Sequence, residues 1–203
     1  AVTISQNITP PITNAAADKT LTCSNPSLMI GTAGVVGNTY TWSPSAGLSA
    51  NNIAQPNATT PGTYTLIVTN TATGCTATDD VTITQNITTP TVNAGINQTL
   101  TCSNPSLAIG TAAVSGNTYT WSPSSGLSNA NIAQPNATAP GTYTLTVTNT
   151  ANGCTATDAV TISQNIAPPV ANAGADQTLT CATTSVSIGA VALAGNTYAW
   201  SPS

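Results

Sequence analysis

The chain has 203 residues and is almost uncharged, with five aspartates and one lysine and with no glutamate, arginine or histidine. Lys19 is the only cation, which excludes the clustered basic side chains that bind nucleic acid or an anionic membrane surface. No apolar run approaches the roughly 18 residues of a membrane span, so no membrane insertion is expected in this segment. The abundance of Thr, Val and Ile instead favours β-strands.

The sequence repeats itself with a period of 79 residues. Such a period is typical of tandem domains, and we interpret the segment as a window on a longer array. Residues 1–8 are expected to be the last strand of a preceding repeat, 9–87 and 88–166 two whole repeats, and 167–203 the first part of a further, truncated repeat. The positions that fix the period are Cys23, Cys102 and Cys181; Trp42, Trp121 and Trp200; and Cys75 and Cys154.

Within the second repeat, short segments of alternating polarity follow one another between turn signals. Residues 106–110 alternate first, then 118–121, and after a Pro-Gly turn the segment 142–148 alternates tyrosine, leucine and valine with threonine. Alternation with period two buries one face of a strand, and about seven short strands per repeat predict an all-β, two-sheet sandwich. The side chains expected in the core are Trp42, Tyr64, Leu66, Trp121, Tyr143, Leu145 and Trp200.

Several motifs carry a resemblance to known repeats. Asn93-Ala94-Gly95, Gln98-Thr99 and the segment 140–148 resemble PKD-type and related immunoglobulin-like repeats. A further set of motifs is similar to tandem repeats of very long Bacteroidota surface proteins, including gliding-motility-associated adhesins. The resemblance covers the whole chain and implies tandem PKD-like β-sandwich domains, secretion, surface display and no catalytic residues. The motifs of this further set are Leu100-Thr101-Cys102, Trp121-Ser122-Pro123, Gly126-Leu127-Ser128 and Asn152-Gly153-Cys154-Thr155.

Two cysteines occur at fixed positions in each repeat, which indicates disulfides formed in an oxidising compartment. Free buried thiols and a metal site are the alternatives. Metal binding is disfavoured because the chain has no Cys-X-X-Cys pair and no histidine. The candidate disulfide residues are Cys23, Cys75, Cys102, Cys154 and Cys181.

The connectivity of these cysteines has two alternatives. Pairing within a repeat would join Cys23 to Cys75 and Cys102 to Cys154. In an immunoglobulin-like sandwich, however, the turn before the second strand and the turn before the last strand lie at opposite poles. In an end-to-end array those poles meet, which favours a Cys23–Cys154 bond between domains. Cys102 would then pair beyond residue 203, and Cys75 before residue 1.

Catalytic and metal-binding candidates are few. The chain has no histidine, glutamate or arginine, and its many Ser and Thr have no base to activate them, so we expect no enzyme and no cofactor. Calcium binds six to eight oxygens, usually with several carboxylates. Asp158 and Asp176 are the only pair that could lie near one domain junction, and they are weak calcium candidates.

We therefore expect a structural repeat segment of an extracellular bacterial fibre or cell-surface adhesin. Its role would be reach and stiffness, and its partners would be copies of itself in lateral or end-to-end assembly. The surface lacks the charges that normally keep proteins apart, which favours lateral association. The alternative is a glycan-binding or spacer module array of a secreted protein, with surface glycans as partners. That class expects exposed aromatic platforms, whereas the aromatic residues here fall at core positions.

Overall fold

The computed structural model describes residues 1–201, and within that range it contains strands and no helix. None of these residues forms a helix that could cross a membrane. Two similar units of six strands follow each other along the chain. The first unit consists of β1 (Lys19–Thr22), β2 (Leu28–Met29), β3 (Asn38–Ser43), β4 (Asn57–Ala58), β5 (Gly62–Asn70) and β6 (Thr76–Asn86). The second consists of β7 (Gln98–Thr101), β8 (Leu107–Ala108), β9 (Asn117–Ser122), β10 (Asn136–Ala137), β11 (Gly141–Asn149) and β12 (Thr155–Asn165).

Each unit folds into one four-stranded and one two-stranded sheet. The order is β1-β6-β5-β3 with β2-β4 in the first unit, and β7-β12-β11-β9 with β8-β10 in the second. The first strand of each unit lies parallel to the last, and all other pairs are antiparallel. This arrangement is that of a small immunoglobulin-like sandwich, which confirms the predicted all-β tandem fold.

The core of each unit lies between its two sheets, on the face that the alternating pattern predicts. In the second unit, Tyr143, Leu145 and Val147 of β11 point inward while the intervening threonines face outward. Because β5 has the same alternation, the first unit repeats this core. The predicted core residues that are buried, with at most 2% of their surface exposed, are Trp42, Tyr64, Leu66, Trp121, Tyr143 and Leu145.

Polar atoms of the large core side chains are satisfied by backbone carbonyls. The indole Nε1 of Trp121 donates to the carbonyl of Ile132 at 3.0 Å. The hydroxyl of Tyr143 donates to the carbonyl of Ala139 at 3.0 Å. A tyrosine near the start of the penultimate strand that bonds a few residues upstream is a recurrent feature of immunoglobulin-like sandwiches. These bonds allow polar aromatic residues to be buried without an unpaired donor.

One core prediction is wrong for this structure: Trp200 is 58% exposed. Its equivalents Trp42 and Trp121 are covered by the sheet partners of their own units, whereas residues 167–201 form no strand. Residues 1–8, expected to be a last strand, form no strand in this structure, whereas β12, at the equivalent position of the repeat, pairs with β7 and β11.

The junction between the two domains as candidate functional site

A disulfide joins the two domains. Cys23 follows β1 directly, and Cys154 precedes β12 directly; their Cα atoms are 5.0 Å apart, and 131 positions separate them along the chain. This is the pairing across the junction, one of the two alternatives that the sequence left open. The bond holds the pole of the first domain where β6 ends against the pole of the second domain where β12 begins.

The register of β6 explains why Cys23 does not pair with Cys75. Thr22 lies opposite Asn86 at the end of β6, whereas Cys75 immediately precedes the start of that strand. An 11-residue strand is roughly 36 Å long at about 3.3 Å per residue. A disulfide needs Cα atoms within about 7 Å, so the two cysteines of one repeat lie at opposite poles, out of bonding range.

Asn152 is the polar side chain at the centre of this junction, and only 1% of its surface is exposed. Its amide nitrogen donates to Oδ1 of Asn86 and to the carbonyl of Thr88, both at 3.0 Å. Its own Oδ1 accepts a hydrogen bond from the backbone N–H of Cys154 at 2.9 Å. Both amide donors therefore hold the end of the first domain, while the acceptor fixes the turn that carries the disulfide.

The backbones of the two domains also come into direct contact. The N–H of Ser24 donates to the carbonyl of Asn152 at 3.2 Å. Gly153 has a φ of +71°, and a Cβ added there would lie 2.7 Å from Cβ of Ser24. Only glycine both adopts this conformation readily and leaves room for the serine. The junction is thus a close-packed contact in addition to a covalent one.

The sequence favours this disulfide over pairing within a repeat, but it assigns no contact at the junction to Asn152, Gly153 or Ser24. Asn152 and Gly153 enter the sequence analysis only as part of a repeat motif. One signal was available: segments 70–79 and 149–158 are identical except that Asn152 stands where the first has Thr73. A polar substitution beside a candidate interdomain cysteine could have indicated a contact made at one junction.

The remaining candidate cysteines are free in this structure. Cys75 is half-buried, and Cys102 and Cys181 are exposed. Cys102 stands in the second domain where Cys23 stands in the first, with its Sγ 3.6 Å from the carbonyl of Ile166. Cys75 likewise occupies the position of Cys154 at the opposite pole of the first domain.

Of the two calcium candidates, Asp158 already accepts hydrogen bonds from the backbone. Asp158 accepts hydrogen bonds from the backbone N–H of Ala94 at 2.8 Å and of Ala159 at 2.9 Å. Asp18, the first-repeat equivalent of Asp176, accepts one from the N–H of Thr82 at 2.7 Å. These carboxylates fasten the first segment of a domain to its last strand. Among residues 1–201, no group of three His, Cys, Asp or Glu side chains could hold a metal ion.

A cleft of about 470 Å³ lies in residues 170–200 and is not a ligand pocket of a complete domain. The equivalent space in the second domain measures about 70 Å³, because Leu145 and Val147 of β11 line it there. Residues 167–201 supply no such strand. The cleft is therefore an open core. Its apolar and aromatic lining consists of Val170, Ile188, Val191, Leu193, Tyr198 and Trp200.

No family model and no curated protein matches the sequence. Solved structures of tandem immunoglobulin-like domains do match at the level of fold. A titin I-band fragment, I67–I69, is 12% identical over 79% of this chain and 67% of its own, with a TM-score of 0.43. Extracellular domains 3–5 of Drosophila OTK are 12% identical over 73% of this chain and 59% of theirs, with a TM-score of 0.39.

A bacterial structure is among these matches. A SusE-like surface located polysaccharide binding protein of Bacteroides thetaiotaomicron is 13% identical over 74% of this chain, with a TM-score of 0.35. The chain spans 33% of that protein and 59% of the OTK fragment. These likenesses concern the fold alone.

Proposed function

We propose that this chain is a structural repeat segment of an extracellular bacterial fibre or cell-surface adhesin, in which stiff joints give reach. The observation that carries the proposal is the junction, where one disulfide, the Asn152 network and the Ser24–Gly153 contact fix two domains together. A flexible tether would not need a closely packed joint at this point. Disulfides form and persist mainly in oxidising compartments, which supports secretion.

The 79-residue period extends this joint to both sides of the segment. Cys102 lies where Cys23 lies in the preceding domain, and Cys75 lies where Cys154 lies in the following one. In an array that continues with the same period, these two cysteines make the same bond to neighbouring repeats. Every joint would then be covalent.

Small-angle scattering of the oxidised 203-residue chain tests the stiff joint. We expect an elongated particle whose two domains keep one relative orientation, and a Cys23–Cys154 peptide in non-reducing mass mapping. The Cys154→Ser variant should show a broader distribution of interdomain angles, and the Cys75→Ser variant should not. A compact particle, or a Cys23–Cys75 peptide, would contradict the proposal.

Lateral self-association forms the second part of the proposal. The outward face of the β9-β11-β12 sheet carries cross-strand rows of threonine, such as Thr120, Thr146 and Thr157, and has no charge along those rows. Hydroxyls there pair across strands, as Thr142 and Thr161 do at 3.2 Å. Since charge normally keeps such surfaces apart, two copies can pack through hydroxyl and amide contacts.

Sedimentation velocity at rising concentration tests this association. We expect oligomers that persist from low to high salt, because the contact does not depend on charge. Thr146→Lys should abolish them, whereas Thr71→Lys, in an exposed turn away from this face, should not. A chain that stays monomeric at high concentration would contradict lateral assembly. It would not contradict the stiff, disulfide-bonded joint between the domains.

The proposal assigns no catalytic role to the segment, since its sequence holds no histidine, glutamate or arginine. The glycan-binding alternative expects aromatic platforms on the surface of complete domains. Trp42, Trp121, Tyr64 and Tyr143 are buried, and the exposed Trp200 belongs to the open core of 167–201. We therefore rank that alternative second.

A further inference from the structure

The two bonded cysteines lie at the ends of extended segments that run the length of their domains. In the first domain, the N–H of Ala15 donates to Asp79, and Lys19 to Thr22 pair with Ile83 to Asn86. Every one of these contacts has a separation of 64 residues, so 15–22 keeps one register beside the second part of β6, with a single left-handed residue at Ala16. In the second domain, Cys154 leads directly into β12, whose 11 residues run from one pole to the other.

A continuous covalent path therefore crosses both domains in nearly extended form. We call it the covalent track: residues 15–23, the disulfide, and residues 154–165. The disulfide joins cysteines with a sequence separation of 131 and so removes residues 24–153 from the path between the chain ends. Those positions contain most of both cores, including Trp42 and Trp121.

We propose that this track makes the segment an inextensible tie, in which tension passes through strands and a disulfide without unfolding either domain. The inference rests on the proposed structural function and specifies the path, the covalent track, along which the segment carries tension. In an ordinary tandem array, each domain that unfolds lengthens the chain by roughly 3.5 Å for every residue released. Here, detaching β12 from its sheet releases almost no length, because β12 is already extended and 24–153 remains a closed loop.

The repeat period would extend the covalent track through further repeats. Cys154 and Cys181 are 27 residues apart, as are Cys75 and Cys102. Where the array continues with inter-repeat pairing, one track advances two repeats for each 27-residue stretch and one disulfide. Such a stretch spans at most roughly 95 Å, whereas two folded domains with strands of this length span about 75 Å. Pairing within repeats would instead use 27 residues for every single domain, which allows roughly 2.5-fold extension.

Single-molecule force spectroscopy on the full 203-residue chain, held by fused handle proteins at both termini, tests the tie. For the oxidised chain we expect no unfolding step longer than about 50 Å. With dithiothreitol in the chamber, or in the Cys154→Ser variant, we expect two steps of roughly 200 Å, one for each domain. Reduction of the folded wild-type chain keeps the test valid if the variant does not fold.

The matched control is the Cys75→Ser variant, which removes a cysteine from the equivalent turn and should behave like the oxidised wild type. A step longer than about 50 Å in an oxidised chain whose Cys23–Cys154 peptide has been mapped would overturn the tie. That result would leave the proposed function standing if scattering still showed a stiff, elongated particle. A flexible or compact particle would instead contradict the proposed function itself.

Discussion

The same turn occurs twice in this chain, once inside the junction and once at a free pole. Both copies close with identical backbone bonds: Asn149 accepts from Gly153 at 2.8 Å and Asn70 from Gly74 at 2.8 Å. The glycine φ is +71° in one and +70° in the other. Yet Cys154 is buried, whereas Cys75 is half-buried and free.

This comparison separates what a repeat determines by itself from what the joint adds. The turn conformation is set by the local sequence, since it is the same with and without a neighbouring domain. The joint adds burial, the Asn152 hydrogen bonds and the disulfide without changing the turn. A preformed turn loses little conformational freedom when it docks, and this favours a defined joint. Paired substitutions at equivalent positions can therefore isolate the energy of the joint.

Among paired substitutions at the joint and at the free pole, the two cysteines should differ most in the loss of unfolding free energy. Cys154→Ser opens a closed loop of 131 positions and should lower the free energy of unfolding by about 2–4 kcal/mol. Cys75→Ser removes a free thiol and should change it by less than about 0.5 kcal/mol. Denaturant unfolding followed by tryptophan fluorescence measures both, since Trp42 and Trp121 report on one core each. Equal losses in the two variants would mean that the bond does not stabilise the joint.

The next largest difference in unfolding free energy should be that between alanine substitutions at the two glycines. Alanine at Gly153 or at Gly74 pays the same left-handed backbone penalty, about 1–2 kcal/mol. Only at Gly153 would the new Cβ overlap Ser24, and overpacking of this kind costs about 1–3 kcal/mol more.

The excess at Gly153 can be checked by a second substitution. Ser24→Gly in the Gly153→Ala background should recover part of the loss, because it removes the overlapping Cβ and Oγ. The same change beside Gly74→Ala should recover nothing. Urea midpoints of the four variants decide the matter, and an equal cost at the two glycines would exclude steric contact at the joint.

The two sheets and their core could be predicted because the signals are local and repeated. Alternation along 142–148 determines which side chains of β11 face inward, and Tyr143, Leu145 and Val147 are buried accordingly. The disulfide could be narrowed to two alternatives, since pole positions follow from strand order. Trp200 was assigned to the core by its period, but burial also needs partner strands, which residues 167–201 do not supply.

The contacts of the joint could not be predicted in the same way. Asn152 bonds Asn86 and Thr88, which lie 66 and 64 positions away. Such partners are determined by how two domains meet, and no local pattern encodes that geometry. An Asn-Gly pair is also a common turn signal, so the only sign of its second role is the change from Thr73 to Asn152 between the two repeats.

Asn152 should contribute less than the disulfide but more than any serine at the joint. Asn152→Thr restores the residue of the free turn, and it leaves Asn86 and the carbonyl of Thr88 without their donor. We expect a loss of about 1–2 kcal/mol in the free energy of unfolding. The reciprocal Thr73→Asn variant should be nearly neutral, because Thr73 is exposed. Amide hydrogen exchange at Ser24, whose N–H bonds the carbonyl of Asn152 across the junction, gives an independent readout, and unchanged protection there would argue against the network.

The smallest effect should be that of the serine hydroxyl. Ser24 and Ser103 are equivalent, and each hydroxyl lies 3.1 Å from the threonine two residues before it. Only Ser24 also reaches the carbonyl of Asn152, at a long 3.4 Å, while its backbone N–H already bonds that carbonyl. Ser24→Ala and Ser103→Ala should therefore differ by less than about 0.5 kcal/mol. A larger loss at Ser24 would show that the side chain, and not the backbone, carries the contact between the domains.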